Sequence, residues 1–244
     1  MGLLLLSSSV VYGRGYLDHA AEEIRSMLAV ANVRTILFVP YALHDRPAYS
    51  LRARARFRTL GFAVESIAEA RDPTAAILRA EALFVGGGNT FRLLACLQQS
   101  DLLEPIRRRV ATGMPYVGSS AGSIVACPTL KTTKDMPIVQ PRSFEALGLV
   151  RFQISPHYLD PDPDSTHMGE TQEERILQFL EENEAPVAGL REGAILRIEG
   201  DSISLRGLAG ARIFRRGQEP IETVPVAPIE NLLASPGLRI GEVR

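Results

Sequence analysis

Along the first half of the chain, short apolar runs alternate with longer stretches in which apolar and polar residues recur at helical spacing. The apolar runs, residues 3–8, 35–39, 63–67, 83–85 and 116–118, predict strands. The stretches between them, residues 17–31, 48–60, 74–80 and 90–110, predict helices, the last divisible into two before Pro105. Strand and helix in strict alternation imply a parallel sheet with helices on both faces. Binding sites in such sheets form where strands end and helices begin.

After Gly122 the pattern loosens. Residues 152–155 predict another strand, and residues 169–182 a helix entered from the Asp/Pro-rich segment 160–164. Residues 187–190, 195–199, 202–205 and 212–214 predict shorter strands joined by Gly193, Gly200-Asp201 and Gly210, as an antiparallel edge or flap. From Val224 onward prolines recur without a period. The expected organisation is one α/β domain over residues 1–223 and an irregular tail over 224–244.

Composition narrows the function without choosing it. The 244 residues are 45% hydrophobic, enough for a large buried core. Basic and acidic residues number 27 and 28, and a net charge of −1 gives no overall field for nucleic acid or an anionic membrane. Two cysteines, Cys96 and Cys127, exclude a disulfide scaffold and are too few for a zinc site. The apolar start, Met1 to Val11, lacks the basic segment of a signal peptide, and no run approaches membrane-span length. The expectation is a cytoplasmic protein with no metal and no membrane partner.

Two glycine-bearing turns carry the chemistry. Gly118-Ser119-Ser120-Ala121-Gly122 follows an apolar strand and opens a helical run, which is the context of a nucleophile elbow. The glycines make room for strand and helix to approach, and the turn lifts the Ser120 hydroxyl clear of the sheet. Gly86-Gly87-Gly88-Asn89-Thr90 is a second strand–glycine–helix junction. It lacks the lysine of a phosphate loop, and it suits an oxyanion hole with Gly88 as donor. A serine needs a base. Of the four histidines, His19 falls in a helix as a surface residue and His44 in a loop. His157 sits at a strand end and is the best candidate, with His167 in reserve. Two acids could orient the base: Glu192, at the end of strand 187–190, and Asp135, on the loop between serine and histidine. Glu192 is preferred, which leaves Asp135 to shape the pocket.

The motifs GGGNT, GSSAG, residues 132–138 (TTKDMPI), Pro156-His157-Tyr158, Gly169-Glu170-Thr171 and the L-x-E-G of residues 190–193 occur here in the order found in peptidase E. From the first strand to about residue 215 the chain resembles that family of α-aspartyl dipeptidases, serine peptidases related to cyanophycinase. The resemblance implies a three-layer α/β sandwich with a mainly parallel sheet, like class I glutamine amidotransferases. It implies a Ser120–His157–Glu192 triad with Asp135 as alternative acid, oxyanion amides at Gly88 and Ala121, no cofactor, a small peptide substrate and a homodimer. Asn89, Gln172 and Arg175 are the substrate-binding candidates. Two positions depart from the family's form: Ser119 where an aromatic is common, and Gln172 where arginine follows the GET segment. Arg175, Lys134 or Arg142 would have to supply the cation that Gln172 lacks. The alternatives are a related peptidase of different specificity, cyanophycinase-like or non-aspartyl, and a non-catalytic binding protein on the same fold.

Overall fold

The computed structural model describes residues 2–166 and 168–234. In chain order the elements are β1 (Gly2–Leu6), α1 (Ala21–Val30), β2 (Thr35–Val39), α2 (Arg46–Thr59), β3 (Ala63–Ser66), α3 (Pro73–Arg79), β4 (Ala82–Val85), α4 (Thr90–Gln99) and α5 (Leu103–Ala111). Then come β5 (Tyr116–Ser119), α6 (Ala121–Ile124), β6 (Gln153–Pro156), α7 (Gln172–Glu182), β7 (Val187–Leu190), β8 (Ala194–Glu199), β9 (Ser202–Gly207), β10 (Ala211–Phe214), β11 (Ile221–Thr223) and α8 (Glu230–Leu233).

The large sheet has seven strands in the order β3-β2-β4-β5-β1-β8-β9. The first five are parallel, and β8 and β9 extend them antiparallel. Burial on both faces explains the solid apolar runs. Leu4, Leu6, Ile36, Phe38 and Phe84 face α1 and α2, meeting Ile24, Met27, Leu28, Ala53 and Phe57. Leu3, Leu5, Leu37, Val39 and Val85 face the other way, into a core with Ile77, Leu93, Leu97, Ile106 and Val110 of α3, α4 and α5. The fold is thus a mixed α/β arrangement around a large, mostly parallel sheet.

A second sheet, β11-β10-β7-β6, was not anticipated. The four strands expected to form one antiparallel edge divide instead. β8 and β9 join the large sheet, while β7 and β10 pair beside β6, with β6 and β7 parallel. Alternating apolar residues report that a strand is half-buried, not which strand it pairs with.

The expected division of residues 90–110 into two helices before Pro105 holds, and the irregular tail is revised. The break between α4 and α5 falls at Ser100–Leu102, where Asp101 is left-handed (φ 51°). Pro105 sits inside the first turn of α5, where its missing N–H has no intrahelical partner to lose. The stretch expected to be irregular contains α8. Before it, Val226 N–H donates to Leu205 O (2.7 Å) and Ile229 N–H to Ile203 O (2.9 Å), laying the chain along β9. Residues 235–244 lie outside the described residues.

Candidate active site

The carboxyl ends of five strands converge on one place. β5 ends in the elbow. Ser120 has φ 51° and ψ −108°, outside the usual regions for an L-residue, and caps α6. The turn is locked from below: Ser120 N–H donates to Leu6 O (2.9 Å), and Ser123 Oγ donates to Leu6 O (2.7 Å) and Gly118 O (2.9 Å). Gly122 is required because a Cβ there would run into Val85 O. Ser119 is fully buried beneath the elbow, so its side chain does not line the open pocket.

β6 brings His157, also left-handed at φ 53°. Its Nε2 lies 2.9 Å from Ser120 Oγ, and its Nδ1 lies 3.1 Å from Glu192 Oε1, just beyond β7. The ring and the carboxylate are each about half exposed, so a peptide can reach them. β1 leads into Ser7, which the sequence placed in the first strand without assigning it a role. Ser7 is fully buried; its Oγ accepts from His157 N–H (2.9 Å) and donates to Leu190 O (2.8 Å). Its signal was faint: a serine directly after four leucines.

β4 brings the glycine loop. Gly86 N–H donates to Val39 O (3.2 Å) and Asn89 N–H to Ala42 O (3.0 Å), while the Tyr49 hydroxyl faces the Gly87 amide. Among the described residues the Gly88 amide meets no backbone carbonyl. Gly88 has φ 134°, a conformation other residues rarely adopt.

Asp135 is not at the imidazole. Its Oδ2 accepts from Thr90 N–H (2.6 Å) and Thr90 Oγ1 (2.6 Å), at the positive end of α4. Asn89 is likewise occupied: Oδ1 caps α4 at Arg92 N–H (3.0 Å) and Nδ2 donates to Met136 O (2.9 Å). Both residues fasten the 132–136 loop to the glycine loop, and it is Glu192, not Asp135, that touches the imidazole. Gln172 Oε1 accepts from Lys134 Nζ (2.9 Å) and Leu159 N–H (3.1 Å). Arg175 pairs with Glu170 (3.6 Å) and Arg142 with Asp101 (2.8 Å), which leaves Lys134 as the cation nearest the base.

His19 is not the surface residue expected. Both its ring nitrogens are buried, and desolvation together with Arg14 lowers its pKa, favouring the neutral form. His44 is exposed. His167 lies outside the described residues. A cleft of about 740 Å³ opens at the edge strand β3, lined by Arg54, Arg58, Phe62 and Val64, but none of the residues above borders it. Convergence of functional groups, not depth of concavity, marks the site.

A hydroxyl, an imidazole and a carboxylate in series at the strand ends of an α/β sheet define a serine peptidase as the class. The sequence profile of peptidase family S51 matches residues 3–206. The chain is 53% identical to a peptidase E of Streptomyces coelicolor over 233 residues, 96% of this chain and 95% of that one. It is 47% identical to a probable alpha-aspartyl dipeptidase of Drosophila melanogaster over 232 residues, 95% and 97% of the two chains. In structure it is similar to a peptidase from an acI-B1 Actinobacterium, with TM-score 0.72 and 18% identity over 93% of this chain and 96% of that one. A putative peptidase E of Listeria monocytogenes gives TM-score 0.65 and 23% identity over 85% and 98%. The chain belongs to peptidase family S51.

Proposed function

We propose that this chain is a dipeptidase that removes N-terminal aspartate from Asp-X dipeptides through an acyl-enzyme on Ser120. The carrying observation is the relay of contacts from Ser120 Oγ to His157 Nε2 (2.9 Å) and from His157 Nδ1 to Glu192 Oε1 (3.1 Å). His157 takes the Ser120 proton as the hydroxyl oxygen attacks the scissile carbonyl. Glu192 holds the ring with Nδ1 protonated and stabilises the imidazolium. The amides of Gly88 and Ala121 receive the oxyanion. Collapse expels the dipeptide's second residue, whose amine takes the proton from His157. Water, activated by the same ring, then releases aspartate and restores the Ser120 hydroxyl.

The preference for aspartate is supported by the name of the Drosophila relative, a probable alpha-aspartyl dipeptidase. The sheet order supports reading the fold as a three-layer, class I glutamine amidotransferase-like sandwich. Two free cysteines support a cytoplasmic setting, and no helix among the described residues is long and apolar enough to cross a membrane. A homodimer is proposed on resemblance alone.

The test is a panel of Asp-X, Glu-X, neutral and β-aspartyl dipeptides with wild type and Ser120→Ala. Asp-X should be cleaved best, and Ser120→Ala should lower kcat by about 10⁴-fold or more while the thermal transition stays in place. Turnover unchanged in Ser120→Ala would remove that residue from the chemistry. Preferred cleavage of β-aspartyl or neutral peptides would replace the specificity and keep the mechanism.

A further inference from the structure

Lys134 stands on the loop between α6 and β6, and its ammonium has three neighbours. It donates to Pro156 O (2.6 Å), to His157 O (3.1 Å) and to Gln172 Oε1 (2.9 Å). Three N–H groups therefore meet three oxygens, and none is left over for a substrate. The lysine is exposed as a residue, but its head group is enclosed between the end of β6 and the first turn of α7. The charged groups facing it are Asp135 on its own loop and Arg175 on α7, itself paired with Glu170.

His157 needs such a hold. A non-glycine residue at φ 53° carries strain, on the order of 1–3 kcal/mol, that its surroundings must offset. Ser7 grips the His157 N–H from β1. Lys134 takes the carbonyls on either side of the His157 Cα, those of Pro156 and His157.

We infer that Lys134 is a positioning residue for the base. By holding the Pro156 and His157 carbonyls it maintains the left-handed backbone that aims the imidazole at Ser120. By holding Gln172 Oε1 it ties that backbone to α7. The inference rests on the serine–histidine reading above and adds a residue that takes no part in bond making.

Desolvation of the head group, with the nearby Arg175, lowers Lys134 to about 8 against the opposing pull of Asp135. The ammonium offers three donors and a charge, whereas the amine offers two donors and none. The grip is full below that pH and loosens as pH rises through it, so turnover should fall on the alkaline side.

The experiment compares Asp-X hydrolysis by wild type, Lys134→Met and Lys134→Arg from about pH 6 to about pH 10. Lys134→Met should lower kcat by about 10- to 100-fold, the scale expected when a reacting group is misplaced, and change KM by less than about threefold. Lys134→Arg should recover most of kcat and move the alkaline fall upward, because a guanidinium stays charged throughout. A wild-type kcat in Lys134→Met, or a loss of kcat that arginine neither rescues nor shifts in pH, would overturn the inference. If Lys134→Met does not fold, the alkaline fall of Lys134→Arg decides alone, and a fall still at about pH 8 overturns it. Wild type inactive on every dipeptide would overturn the serine–histidine reading itself, an outcome distinct from any difference among Lys134 variants.

Discussion

Ser120 and His157 share a left-handed backbone, at φ 51° and 53°, and sit in hydrogen-bond contact. Each owes its angle to bonds made by its neighbours' atoms: Leu6 O holds Ser120 N–H, and Ser7 Oγ holds His157 N–H. The two acids near them have separate tasks. Glu192 touches the imidazole, while Asp135 accepts both bonds from Thr90 and complements the α4 dipole. Glu192→Gln should therefore lower kcat by about 10²-fold or more with little change in unfolding midpoint. Asp135→Asn should cost about 1 kcal/mol of stability and fewer decades of kcat. Paired kinetics and urea denaturation check both, and the reverse ranking would exchange the two roles. Sequence could bring Ser120, His157 and Glu192 forward because each follows a legible strand. It preferred Glu192 to Asp135 only by its place at a strand end, because the distance of either acid from the ring is set by folding alone.

At the scale of elements, the helices begin where the chemistry of the first turn directs them. Asp45 and Asp72 cap α2 and α3 by accepting from Ala48 and Ala75 N–H (2.9 Å each), with a proline following each cap inside the first turn. α7 opens with a full capping box: Thr171 Oγ1 accepts from Glu174 N–H (3.1 Å), and Glu174 Oε2 accepts from Thr171 N–H (2.6 Å). The Thr171 N–H, and then the Thr171 hydroxyl, hold the Glu174 carboxyl below the usual range. The cap matters for function because Gln172, the first residue of α7, is joined to Lys134. Thr171→Ala should lower stability by about 1 kcal/mol in urea denaturation. Apolar runs and caps made these elements readable, to within a few residues. The α4–α5 break falls before Pro105 as expected, at Ser100–Leu102, with the proline tolerated inside the first turn of α5.

For the whole molecule, the site is a seam between two sheets. Ser120 and Gly88 belong to the large sheet, through β5 and β4, while His157 and Glu192 follow β6 and β7 of the second. This division was hidden from sequence, since periodicity fixes burial and not pairing. Whatever holds the sheets in register therefore holds nucleophile and base together. Ser7 does so at the rim: it leaves β1 in the middle of the large sheet, donates to Leu190 O on β7 and accepts from His157 N–H after β6. With Ser7→Ala the His157 amide loses its partner, while Leu190 O keeps the Tyr158 N–H (2.9 Å), at a cost of about 1–3 kcal/mol in stability. The apolar contacts between the sheets remain, because Leu5, Ile154, Ala188 and Leu190 share one core, so the fold should survive. The effect should then appear as a lower kcat with KM nearly constant, since the change alters the placing of the base and not the pocket. Ser7→Thr keeps a hydroxyl and should retain more activity than Ser7→Ala at equal stability. Equal activity in alanine and wild type would mean that packing alone sets the register of the two sheets.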